Sequence, residues 1–149
     1  LVQNKLLQKV YPASINTIRV HTYYNKKADE VKIISALIRF GASGRIVDNG
    51  NLFVPIDINK WKLKKVGYSF LKNGGHTYLY HPESNIFFNN YQLPYGKSIE
   101  ELVCRAGKLF KNEFIGWDIA ITPHGISIIE GNGNPHLIMA QIACEGFRA

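Results

Sequence analysis

At 149 residues, with 46% apolar and 19% charged side chains, the sequence suits one domain burying roughly two thirds of its unfolded surface, and it is too apolar for a disordered chain. No apolar run approaches the ~20 residues of a membrane helix, Asn4, Lys5 and Lys9 interrupt any secretory leader, and the two cysteines, Cys104 and Cys144, have no metal-ligand spacing or disulfide framework around them, so the cytoplasm is the default compartment. The net charge of +7 admits nucleic acid, an anionic membrane surface or a phosphate-bearing ligand, but scattered lysines and the lack of a recognised nucleic-acid module argue against the first.

Leu1-Val2-Gln3 opens without a methionine or lead-in, so the chain is expected to start inside a longer protein. Leu6, Leu7 and Val10 fall at helical spacing over 4–10, and Pro12 ends the pattern. Alternation over 14–24 predicts a strand with Ile15, Thr17, Arg19, His21 and Tyr23 on one face. A polar turn over 25–30 leads to an isoleucine-rich strand over 31–40. Arg19 and Arg39 each sit amid apolar neighbours, where an unpaired guanidinium would be expensive. A salt bridge accounts for either.

Residues 41–50 form a glycine-flanked, donor-rich loop of the kind that wraps a phosphate, although a plain surface loop has the same composition. Segments 52–58 and 62–70 alternate as an exposed hairpin, with Lys60, Lys62, Lys64 and Lys65 facing solvent. A turn over 72–76 and an aromatic-rich irregular stretch over 78–94 follow. Residues 98–112 make the clearest helix, with Ser98 and Glu101 as a capping box and Ile99, Leu102, Val103, Ala106, Leu109 and Phe110 as its apolar stripe. A closing helix is predicted over 136–147, its N-terminus favouring an anion. Strands first and helices late give an α+β fold with a mainly antiparallel sheet and packed helices.

The stretch 115–135 is the most informative. It reads as two apolar strands around a Pro-His-Gly turn. A three-residue loop, with Gly125 in the left-handed position, sets Thr122 opposite Ile126, and four steps back on each strand set Asp118 opposite Glu130. Asn132 then points to the same face. Opposed like charges repel, so a cation belongs between them, and an oxygen-only set suits magnesium. A register differing by one would instead leave the two acids on opposite faces.

Gly116-Trp117-Asp118-Ile119-Ala120 followed by Ile128-Ile129-Glu130-Gly131-Asn132 resembles the metal-binding end of an ATP-grasp ligase, closest to the sugar-transfer-associated ATP-grasp proteins. Ser14-Ile15-Asn16-Thr17-Ile18-Arg19-Val20, Arg39-Phe40-Gly41, Val47-Asp48-Asn49 and His81-Pro82 extend the resemblance over nearly the whole chain. It implies that residues 1–149 are the C-terminal portion of an ATP-grasp domain. Asp118, Glu130 and Asn132 would then hold two magnesium ions, and Arg19, Arg39 and Asn49, with Arg45 assisting, would contact the ATP phosphates. The implied partners are a small-molecule carboxylate, a nucleophile, and the N-terminal half of the same protein, which carries the remainder of the nucleotide cleft. His81 would lie near the acceptor substrate. Without that half, the chain alone is expected to turn over no ATP.

Overall fold

The computed structural model describes residues 1–42, 52–144 and 146. The Asn4 side chain accepts a hydrogen bond from Leu6 N, which starts α1 (Lys5–Val10) and turns Leu7 and Val10 into the core. The alternating stretches that follow become β1 (Thr17–Asn25) and β2 (Glu30–Phe40), joined by a turn in which Asn25 Oδ1 accepts from Lys27 N. Next come β3 (Leu52–Asp57), the two-residue strands β4 (Lys62–Leu63) and β5 (Gly67–Tyr68), a short 3-10 turn, and β6 (Thr77–Tyr78). The chain closes with α2 (Gly96–Phe110), β7 (Phe114–Thr122), β8 (Gly125–Asn132) and α3 (Ile138–Ala143).

Among the described residues the strands form one antiparallel sheet in the order β6-β5-β3-β2-β1-β7-β8, with β4 paired to β3. The α+β, mainly antiparallel architecture read from the sequence is the one observed. Strand alternation gives the sheet two unlike faces. Ile18, Val20, Ile38, Val54, Ile119 and Ile121 point to one face, where they meet Ile99 and Val103 of α2 and Leu7 of α1 in the main core. Thr17, Arg19, His21, Ser35, Arg39 and Asp118 occupy the other. There Ala140 and Ala143 of α3 cover Leu37 and Phe53.

Three sequence expectations change. The segment 52–58 is not an exposed arm: Leu52 through Ile56 are buried, because β3 is an interior strand covered on both faces. Its expected partner breaks into β4 and β5. Second, the capping box does not form. α2 begins at Gly96 after Tyr95 in a left-handed conformation, without a side-chain cap. A Cβ at Gly96 would stand 2.2 Å from Trp61 Cγ, so this glycine lets the helix start against the indole. Leu109 and Phe110 drop out of the buried stripe and are exposed. Third, α3 starts at Ile138, spans six residues and has no side-chain cap, so the expected anion-favouring terminus is not built.

Among the described residues no helix is long and apolar enough to cross a membrane.

Candidate functional site

The register of three adjacent interior strands, β2, β1 and β7, assembles the polar face. β1 pairs Arg19 with Asp118 of β7, and Thr17 with Arg39 of β2. Arg19 grips the Asp118 carboxylate with two donors: Nε meets Oδ1, and Nη2 meets Oδ2 at 2.9 Å. Arg39 Nη2 reaches Oδ2 at 3.2 Å, while its Nε and Nη2 also donate to Thr17 Oγ1 at 2.9 and 2.6 Å. Arg19 and Asp118 are only 9% and 7% exposed, a depth at which an unpaired charge would not be tolerated. Burial pushes the Asp118 carboxyl up, but the Arg19 hydrogen bond and the charges of Arg39 and Arg19 outweigh it and leave the group below its usual value. The cluster places two guanidiniums around the Asp118 carboxylate on a sheltered face.

Gly116 makes this packing possible. A Cβ there would lie 2.6 Å from Pro135 Cβ and 3.4 Å from Arg19 Cδ. Its lack of a side chain seats Pro135 over the sheet beside the Arg19 stem. His21, next along the same face, is 1% exposed, shares a 2.9 Å hydrogen bond with Ser35 Oγ through Nδ1, and leaves Nε2 unpartnered. Burial, reinforced by Arg19 and partly opposed by Asp118, lowers its pKa to about 4. Sequence reading assigned no role to His21 or Gly116; their positions two residues from Arg19 and Asp118 were the available signal.

Asp118 does stand opposite Glu130, as the sequence register predicts, but by a different route. The turn is one residue shorter than expected, pairing Thr122 with Gly125, and a bulge between Asp118 and Ile119 restores the offset by leaving Ile129 unpaired. Glu130 therefore lies on the edge strand, exposed, and Asn132 follows opposite Gly116 on the same face. Asn132 Oδ1 accepts from Asn134 N at 2.9 Å.

Among the described residues no group of three His, Cys, Asp or Glu side chains gathers as a metal site. The donors still have the right chemistry for magnesium. A carboxylate offers about four lone-pair sites, and three donors occupy those of Asp118. The cation that the sequence placed between Asp118 and Glu130 is thus supplied on the Asp118 side by Arg19 and Arg39. Asn49 and Arg45 lie outside the described residues.

His81 is corrected from substrate contact to framework. It is fully buried, its Nε2 bonds Gly41 O at 2.9 Å, Nδ1 accepts from Glu83 N, and its ring packs on Tyr11 and Phe40. Burial lowers its pKa, which keeps the ring neutral with the proton on Nε2.

Beside Arg39 the face opens into a pocket of about 630 Å³, lined by Leu1, Gln3, Ser14, Ile15, Thr17 and Arg39 among others. Arg39 thus borders both the carboxylate cluster and this cavity. A family model described as "Sugar-transfer associated ATP-grasp" matches residues 1–147. No curated protein and no solved structure matches the chain.

Proposed function

The chain belongs to the sugar-transfer-associated ATP-grasp family, and from that premise we propose that it forms the phosphoryl-transfer half of an ATP-dependent ligase joining a carboxylate to an amine or similar nucleophile, in cell-surface polysaccharide assembly. Family membership implies ATP and a ligase-like enzyme; the carboxylate, the nucleophile and the pathway are the proposal. The observation that carries it is Arg39, which lines the 630 Å³ pocket and reaches the Asp118 cluster 3.2 Å away. A nucleotide seated in that pocket would set its phosphates against Arg39, with the Arg19–Asp118 pair beside it.

The work assigned to these residues is placement and charge. Arg39 and Arg19 orient the phosphates, with Asn49 and Arg45 proposed to contribute. The γ-phosphoryl group passes to the substrate carboxylate, ADP leaves, and the nucleophile then displaces phosphate from the acyl phosphate. No protein nucleophile is required. Glu130, Asn132 and the remaining lone pair of Asp118 would hold magnesium, which when bound neutralises charge on the phosphates. The other part of the cleft is proposed to come from the N-terminal half of the same protein.

A second reading, a non-catalytic grasp-like module that binds an anionic sugar or a partner protein, draws on one observation: Arg19 and Arg39 hold Asp118 so fully that the cluster resembles an anion receptor with its own counter-ion. Magnesium- and ATP-dependent phosphate release by the full-length protein with its substrates separates the two. Under the ligase reading Glu130→Gln lowers the rate about 10²–10³-fold, as loss of one electrostatic element at a transferring group commonly does, and Arg45→Ala costs less. No phosphate release by the wild type, or an unchanged rate for Glu130→Gln, overturns it.

A further inference from the structure

The end of the sheet where β1 finishes and β7 begins carries a surface with no part in phosphoryl transfer. β1, β2, β7 and α2 meet there. Asn25 pairs with Glu30 across the β1–β2 turn, Tyr23 pairs with Phe114 at the start of β7, and Lys108 of α2 reaches Asp29 at 3.8 Å. The last turn of α2 therefore stands beside the 25–30 turn. Phe110 continues the buried stripe of Ile99, Val103 and Ala106 by one helical step, and its ring lies 5.9 Å from that of Trp117. It is nonetheless 66% exposed, and Leu109 beside it is 78% exposed. Single apolar side chains at a surface are ordinary. An adjacent leucine and phenylalanine at a helix end, both mostly in water, are costly to leave uncovered.

The charges around them indicate what covers them. Arg105, Lys108 and Lys111 flank the pair along the chain, and Lys26, Lys27 and Lys32 stand on or next to the 25–30 turn, all exposed. Against these six cations the segments 25–32 and 105–114 set three acids, Asp29, Glu30 and Glu113. Each acid is already met by a lysine, at 3.8, 3.4 and 2.9 Å respectively, so the surplus is positive. Lys26 and Lys111 also border an open depression of about 520 Å³ together with Asn112, Glu113 and Gly133, which has room for a phosphate-bearing headgroup. An anionic bilayer supplies apolar depth and negative charge together, with no matched groove. Lysine stems can follow the apolar pair inward while their ammonium groups stay at headgroup level.

We propose that this end of the molecule docks on an anionic lipid bilayer, with Leu109 and Phe110 entering the headgroup boundary and Lys26, Lys27, Lys108 and Lys111 meeting lipid phosphates. Asp118 lies four residues along β7 from Phe114, about 13 Å, so docking holds the carboxylate cluster near the membrane surface. The docking stands on this patch alone and does not need the ligase reading.

Flotation of the full-length protein with vesicles of phosphatidylcholine alone, and of phosphatidylcholine and phosphatidylglycerol in equal parts, tests it. Binding to the anionic vesicles should exceed binding to the neutral ones about tenfold or more, since each lysine near an anionic surface is worth about fivefold in partitioning. Added salt should weaken it. Leu109→Ser combined with Phe110→Ser should lower binding about tenfold or more, and Lys27→Gln combined with Lys111→Gln should do the same. Because Phe110 touches Trp117, Leu109→Ser alone is the control for folding: it should weaken binding about threefold or more while melting at the wild-type temperature. Absent or equal binding to the two kinds of vesicle overturns the proposal, as does equal binding by wild type and Leu109→Ser. So does a wild-type dimer in solution that Leu109→Ser splits, because a second copy would then be what covers the patch.

Discussion

The two acids of the candidate site face each other across one strand pair, yet they live under opposite physics. Asp118 is on β7, an interior strand of the sheet, 7% exposed and held by Arg19 and Arg39. Glu130 is on the edge strand with its side chain exposed. A buried carboxylate must be partnered by the protein itself, whereas an edge carboxylate can wait in water for a cation to arrive. The comparison teaches that equal placement in a motif does not mean equal surroundings: Asp118 is held between two arginines, and Glu130 stays in contact with solvent.

The contrast should be plainest in stability. Asp118→Ala leaves two guanidiniums clustered without their carboxylate, and breaking a buried pair in this way costs about 3–5 kcal/mol. Urea unfolding of the variant measures it. A loss under about 1 kcal/mol would mean that solvent, not Asp118, already compensates the arginines.

Acid should act next, through His21. Its folded pKa of about 4 lies below the unfolded value near 6.5, so the unfolded chain binds more protons between those values. The stability is fully present above pH 6.5 and drains as pH falls toward 4, by about 3 kcal/mol in total. Asp118, whose pKa is also depressed, adds its loss only below its own unfolded value, near 4. His21→Val should therefore flatten the slope between pH 6.5 and 4 and leave the steeper fall below it. An unchanged slope in thermal melts across that window would place the responsible group elsewhere.

Smallest is the effect on the edge. Glu130→Gln should leave stability within about 0.5 kcal/mol of wild type, as exposed substitutions do. A clear destabilisation would show that Glu130 is tied into the fold and would erase the contrast with Asp118.

Much of this face was legible in the chain. Arg19, Asp118 and Glu130 fall where strand period and hairpin pairing put them, because a one-residue slip would move Ile119 and Ile121 out of the core. The turn and the bulge were not legible. Ile128 and Ile129 are both apolar, so alternation cannot show which of them is the extra residue; two offsetting differences of one gave the right pairing from the wrong turn. The five apolar residues from Leu52 to Ile56 did carry a signal, since an unbroken run marks a strand buried on both faces. Ser98 and Glu101 have the spacing of a capping box, but the fit of Gly96 against Trp61 set the helix start earlier. His81 could not be sorted from sequence, because its partner, Gly41 O, is forty residues away.

The central proposal is that a metal, if the site takes one, enters at the edge acid and not at the buried one. Manganese binding by the full-length protein in the presence of ATP, followed by electron paramagnetic resonance, tests it most directly. Loss of an outer-shell partner alone commonly costs about 10–100-fold in metal affinity, so Glu130→Gln should weaken manganese binding by at least that range while the fold stays intact. Equal manganese affinity in wild type and Glu130→Gln would contradict the account.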